Sequence, residues 1–139
     1  MSFKADKPTV LFVCSTNSGK SQMAAGLMKA AADGQIDVRS GGTNPGSAIN
    51  GQSAESLDEL GIDIHAEVPK PVTAEVQREA DVVVILGENA QLEEVDGTRY
   101  ERWIIDEPSL RGIEGQERMR LVRDDIDARV RELHQRLVR

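Results

Sequence analysis

The run Thr9-Val10-Leu11-Phe12-Val13-Cys14-Ser15-Thr16-Asn17-Ser18-Gly19-Lys20-Ser21 constrains this chain more than any other stretch. Val10 to Val13 is continuously apolar and rich in branched and aromatic residues, the pattern of a strand buried on both faces of a parallel sheet. The residues that follow are small or polar apart from Lys20, and Met23, Leu27, Met28 and Ala31 then recur at helical spacing. A strand emptying into such a loop and then a helix predicts a concave turn of backbone N–H groups at the positive end of a helix dipole. That arrangement binds a tetrahedral oxyanion. Cys14, the only cysteine in the chain, stands at the start of the loop, where dipoles that hold an anion also favour a thiolate. A buried structural cysteine is the plain alternative, and the strand-end position argues against it.

Cys14 to Ser21 also fits G-x-x-x-x-G-K-[ST], a nucleotide-binding loop with Cys in place of the first glycine. Three features weigh against that reading. The cysteine puts a reactive group where the nucleotide would lie. No later strand ends in a bare aspartate, since Val82-Val83-Val84-Ile85-Leu86 runs into Gly87-Glu88-Asn89. At 139 residues the chain is also short for a complete nucleotide-hydrolysing domain.

That length fits one domain, 1–139, able to bury a core without staples. A lone cysteine forms no internal disulfide, no apolar stretch is long enough to span a membrane, and Met1 to Pro8 has no signal-peptide pattern. The cytoplasm is the expected compartment. A formal charge of -7 disfavours nucleic acid and anionic membrane as partners, and it leaves any anion site dependent on local amides and Lys20.

Beyond the first helix, which fades at Ala32-Asp33-Gly34, Ile36 to Ser40 alternates as a second strand nearer an edge, and Gly41 to Gly46 reads as a long turn. A helix is predicted from about Asn50 to Leu60, with Leu57 and Leu60 inward and Gly61 at its C-cap. Ile62 to Val72 contains Pro69 and Pro71 and is expected to be irregular, with His65 a solvated loop residue. Thr73 caps a short helix through Glu79, and Asp81 to Leu86 is the strongest strand. Gly87 to Asp96 is polar, with a helical turn at Asn89 to Leu92, and Tyr100 to Ile105 is a fourth strand. From about Ile113, the spacing of Met119, Val122, Ile126, Val130, Leu133 and Leu137 marks a long amphipathic helix with His134 on its solvated face.

Alternating strands and helices predict an α/β fold, a single three-layer domain with a four-stranded parallel sheet flanked by helices. Ligands of such sheets bind beyond the carboxyl ends of the strands. Cys14, the Gly41 to Gly46 turn, Gly87-Glu88-Asn89 and Asp106-Glu107 all follow strands and can share one rim. Asp106-Glu107, held by Pro108, offers a carboxylic acid that could protonate an oxygen displaced by the thiolate. An acidic turn before proline is the plain alternative.

Cys14 to Ser21, followed by Gln22-Met23-Ala24 and closed by a carboxylate-Pro turn after Trp103, resembles the low-molecular-weight tyrosine phosphatase superfamily and, within it, the arsenate reductases. The family pattern C-x-x-N-x-x-R-S is met except that Lys20 replaces the arginine. The likeness covers nearly the whole chain. From Arg102 to Arg129, through Glu107-Pro108, Glu117-Arg118-Met119-Arg120 and Val122-Arg123-Asp124, it looks most like the actinobacterial arsenate reductases that use mycothiol.

The resemblance implies Cys14 as nucleophile, Ser21 as the hydroxyl that stabilises its thiolate, and Asn17 as the residue that holds the loop in shape. Ser15, Thr16, Asn17, Ser18, Gly19 and Lys20 would bind the oxyanion, and Glu107, with Asp106 as neighbour, takes the place of the general acid. It implies no metal and no tightly bound cofactor. Arsenate is the expected substrate, with phosphate or sulfate as analogues. Relatives coupled to thioredoxin carry three cysteines, two near the loop after the third strand, and here Leu86 to Glu94 contains none. An external thiol such as mycothiol, with a mycoredoxin or glutaredoxin-like protein, is then the expected reductant. A low-molecular-weight tyrosine phosphatase and a non-catalytic oxyanion-binding module are the competing expectations.

Overall fold

The computed structural model describes residues 7–138, so most of the N-terminal segment read for a targeting pattern lies outside the described residues. The elements are β1 (Thr9–Cys14), α1 (Lys20–Ala32), β2 (Asp37–Gly42), α2 (Gly51–Asp58), α3 (Ala74–Glu79), β3 (Val82–Leu86), β4 (Arg99–Trp103) and α4 (Gly115–Leu137), with a 3-10 turn over Pro108–Arg111. All four strands are parallel, in the order β2-β1-β3-β4. The chain leaves β1 toward β2 and returns to β3 on the opposite side, so strand order reverses at the carboxyl end of β1, where Cys14 stands.

Strand alternation divides the core. Val10 and Phe12 of β1 and Val82, Val84 and Leu86 of β3 pack toward α1, α2 and α4. Leu11, Val13, Val83 and Ile85 point the other way, against the smaller layer of Val72, Val76 and Ala80. Phe12 meets Trp103 with ring centroids 5.9 Å apart. The expected three-layer α/β architecture is present. Among the described residues no helix is long and apolar enough to cross a membrane.

Several boundaries differ from the sequence reading. Gly41 and Gly42 belong to β2 rather than to the turn, because β2 stays in register with β1 as far as Cys14↔Gly42. A Cβ on Gly42 would lie 2.9 Å from the Ser15 carbonyl oxygen, so only glycine lets β2 pass this close to the loop. Helix α2 ends at Asp58, which leaves Leu60 half exposed beyond the last turn while Leu57 is fully buried. Asp81 precedes β3 and accepts from the Thr9 N–H at 2.7 Å. Asn89 to Leu92 forms no helical turn, because Arg102 of β4 donates to the carbonyls of Gly87 and Ala90 and holds the segment open. Strand β4 starts at Arg99 and stops at Trp103, with Ile104 exposed. Ala31 is exposed and Ala32 buried in its place. His134 lies four residues after Val130, at the edge of the apolar stripe of α4. It is partly buried, and its Nε2 is enclosed without a partner among the described residues.

Candidate active site

The loop from Cys14 to Lys20 is shaped by the segment that follows β2. The carbonyls of Cys14, Ser15, Thr16 and Ser18 accept from the N–H groups of Thr43 (3.2 Å), Asn44 (2.7 Å), Gly46 (2.9 Å) and Asn50 (2.9 Å). In a trans peptide the N–H points opposite to the C=O, so the N–H groups of Ser15, Thr16, Asn17 and Gly19 turn to the inside of the curve. The N-cap of α1 is Gly19, with no side-chain cap, so the unsatisfied N–H groups of the first turn face the same concavity. The turn expected over residues 41–46 is thus the outer brace of the oxyanion loop.

The sulfur of Cys14 sits at the floor of this curve, 7 % exposed. The Asn17 N–H donates to it at 3.2 Å, and the Ser21 hydroxyl is 3.0 Å away. Because Ser21 Oγ accepts from Asn17 Nδ2 at 2.7 Å, its own proton is free to point at the sulfur. Two donors therefore converge where a thiolate would carry its charge. Asn17 adopts φ 54, a left-handed conformation that asparagine tolerates better than most residues. Its side-chain oxygen accepts from Gln22 Nε2 at 3.1 Å and from the Lys70 N–H at 3.0 Å, so its amide orientation is fixed by three bonds. The sequence names Gln22 only as part of the family likeness and does not single out the Lys70 backbone. Both act through Asn17, and a fully buried glutamine on a helix is a signal only once its neighbours are known.

Cys14, Ser15, Thr16, Ser18, Gly19 and Lys20 line a cavity of about 320 Å³. Its remaining walls come from Met23 of α1, Asn50 and Ser53 at the start of α2, Leu86 at the end of β3 with Gly87 and Asn89 beyond it, and Arg118, Met119 and Val122 of α4. A larger cavity of about 580 Å³, bordered by Gln22, Lys29, Ile62 and Lys70, is not lined by Cys14. Asp58, Asp63 and His65 form an exposed cluster in which the Asp58 carboxylate lies 2.8 Å from His65 Nε2. It does not line the Cys14 cavity either.

The carboxylates expected as proton donors are placed differently. Neither Asp106 nor Glu107 lines the cavity. Asp106 accepts from the Arg111 fork at 2.8 and 3.1 Å, which holds its carboxyl below the usual range. Glu107 accepts from Arg118 Nε at 2.6 Å and Nη2 at 2.9 Å, and from the Ser109 hydroxyl and N–H. The Arg118 guanidinium above all, with Ser109, holds the Glu107 carboxyl down at about 2. In this arrangement the Glu107 carboxylate is committed to Arg118 and Ser109, outside the lining of the cavity. What it brings to the rim is Arg118, which the sequence marks as part of the family likeness without assigning it a role.

The chain is similar to known proteins over most of its length. The arsenate reductase 1 of Staphylococcus haemolyticus is 32% identical over 136 residues, covering 96% of this chain and 99% of that protein. The glutaredoxin arsenate reductase of Synechocystis is 33% identical over 127 residues, covering 89% and 94%. Among solved structures, the thioredoxin-dependent arsenate reductase of Corynebacterium glutamicum superposes with a TM-score of 0.80 at 34% identity, over 94% of this chain and 62% of that one. The chain thus spans under two thirds of that structure's length. An arsenate reductase in its phosphate-binding state gives a TM-score of 0.79 at 30% identity, covering 94% and 98%. Residues 9–139 match the model for low molecular weight phosphotyrosine protein phosphatase, and the chain belongs to that family.

Proposed function

We propose that this protein is an arsenate reductase in which the Cys14 thiolate attacks arsenate and an external low-molecular-weight thiol carries the arsenic away. The observation that supports it most is the position of the sulfur: Cys14 lies beneath a ring of inward N–H groups with two donors on it. A bound tetrahedral oxyanion would present its central atom to the thiolate, with the amides taking up the developing charge. The Sγ–As bond forms as one As–O bond breaks, and the displaced oxygen leaves as water once protonated.

The second half of the reaction needs another thiol, and these 139 residues contain only one cysteine. A mycothiol sulfur attacks arsenic, the Cys14–As bond breaks, and the thiolate is restored. A redoxin thiolate of mycoredoxin or glutaredoxin type then attacks the mycothiol sulfur. Two electrons pass to arsenic, a mixed disulfide forms, and arsenite departs. Mycothiol is a co-substrate in this scheme, and no bound cofactor takes part. The family description also favours phosphatase chemistry as a second reading, since an oxyanion loop with a thiolate suits both. Lys20 weighs against it, because an ammonium lacks the planar fork that clamps two equatorial oxygens of a phosphoryl group.

The test is arsenate-dependent turnover with mycothiol plus mycoredoxin, with glutathione plus glutaredoxin, and with thioredoxin alone, beside release of phosphate from an aryl phosphate. Turnover with a small thiol and its redoxin is expected, with loss of roughly a thousandfold or more in Cys14→Ser. Full activity with thioredoxin alone would remove the external thiol. A higher kcat/KM for the aryl phosphate than for arsenate would replace the reductase by a phosphatase. Unchanged turnover in Cys14→Ser would end the thiolate mechanism.

A further inference from the structure

Lys20 leaves the oxyanion loop without a guanidinium, yet one stands across the cavity. Arg118, in the first turn of α4, lines the same cavity as Cys14 and Lys20. Its Nε and Nη2 donate to the two oxygens of Glu107, at 2.6 and 2.9 Å. That pairing uses one edge of the planar fork. Among the described residues Nη1 makes no hydrogen bond, so the outer edge, formed by Nη1 and the second proton of Nη2, is unengaged. The Glu107 carboxylate is itself tied down by the Ser109 hydroxyl at 2.8 Å and packs on a turn opened by the buried Pro108. The guanidinium is therefore clamped from behind by a rigid element, at the rim of a site that takes anions, with donors to spare.

We propose that Arg118 is an oxyanion-binding residue, a second cation that meets the substrate opposite Lys20, and that Glu107 is a positioning residue that aims it. This rests on the oxyanion reading of the loop given above. The positive charge that a single loop arginine would supply is divided between a flexible ammonium on the loop and a pre-oriented guanidinium on α4. Placing the fork on a helix aims it at oxygens that project out of the loop, away from the amides. All such oxygens are free on arsenate and phosphate, whereas in an aryl phosphate one of them is esterified. The same division thus selects an unsubstituted oxyanion.

The experiment is protection of Cys14 from alkylation by iodoacetamide, titrated with inorganic phosphate, in the wild type, Arg118→Gln, Arg118→Lys and Glu107→Gln, each checked by thermal melting. Phosphate is expected to protect the wild type, with the half-protecting concentration raised about tenfold or more in Arg118→Gln and severalfold in Glu107→Gln. Arg118→Lys, which keeps an ion pair with Glu107 and guards against a folding defect, should fall between. In arsenate turnover the arginine variants should raise KM more than they lower kcat. Wild-type protection at unchanged concentration in both Arg118→Gln and Arg118→Lys would overturn the inference while leaving the oxyanion loop intact. No protection of the wild type would instead overturn the oxyanion reading itself. A Glu107→Gln protein with undiminished phosphate protection and a collapsed kcat would show that Glu107 serves as an acid and not as an anchor.

Discussion

Asn17 holds the site together by carrying two burdens at once. Its backbone is left-handed at φ 54, and its buried amide donates to Ser21 and accepts from Gln22 and Lys70. Asn17→Ala removes the amide and leaves a residue less tolerant of that φ, for an expected loss of about 2–4 kcal/mol. Asn17→Gly relieves the backbone but not the lost bonds, so its loss should be smaller; denaturant titration of the two variants separates the contributions. Both should slow alkylation of Cys14, since Ser21 loses the partner that orients its hydroxyl. Gly42 bounds the same loop from outside. A Cβ there would meet backbone atoms of Ser15 and Asn17 at 2.9 and 3.0 Å, and backbone cannot swing aside. Gly42→Ala is expected to cost about 1–3 kcal/mol, read from the same titration. Cys14, Asn17 and Ser21 were legible in the sequence because they lie within eight residues joined by a strand and a helix. Gln22, Lys70 and Arg118 were not, because their parts depend on contacts that only the folded chain makes.

At the scale of elements, the site is a junction of helix ends. The Asn50 side chain caps α2 by accepting from the Ser53 N–H at 2.9 Å, and Asn50 and Ser53 both line the cavity. Asn50→Ala should cost about 1 kcal/mol through the lost cap. Asn50→Asp keeps the cap and places a carboxylate on the rim, so melting should hold near the wild type while phosphate protection of Cys14 weakens by roughly fivefold. A loss of stability in the aspartate variant equal to that of alanine would show that the cap is not what Asn50 supplies. The strands were readable where the apolar run was continuous, as in Val10 to Val13 and Val82 to Leu86. The limits of β4 were not, since Arg99 to Trp103 alternates polar and apolar and its pairing with β3 sets where it begins and ends. The carboxylate-Pro turn was legible but its 3-10 form over Pro108–Arg111 was not, for a related reason: that geometry is stabilised by Glu107 capping Ser109, a contact no periodicity encodes.

Across the whole molecule, α4 is fastened twice. Its apolar stripe is buried, with Ile126 and Val130 fully enclosed, and its arginines reach acidic partners on three other parts of the chain. Arg120 and Arg123 clasp Glu59 at the end of α2, Arg118 holds Glu107, and Arg136 holds Glu101 of β4. The hydrogen bonds from Arg120 and Arg123 lower the Glu59 carboxyl from 4.5 to about 2, those from Arg118 do the same for Glu107, and Arg136 lowers Glu101. A depressed folded-state value means that the unfolded chain takes up protons first. The contribution is complete above about 4.5 and is lost as pH falls toward 2. Melting temperature should therefore stay level from neutral pH down to about 5 and drop below 4.5. The net charge of -7 at neutrality passes through zero near pH 4.9 and turns positive below it, so charge repulsion adds to the loss over the same range and a variant is needed to separate the two. Glu59→Gln isolates the clasp: it should melt below the wild type at pH 7 and converge with it as pH falls through 2, where Glu59 loses its charge. A constant gap between the two proteins at every pH would assign the effect to packing at the α2–α4 junction and not to the ion pairs.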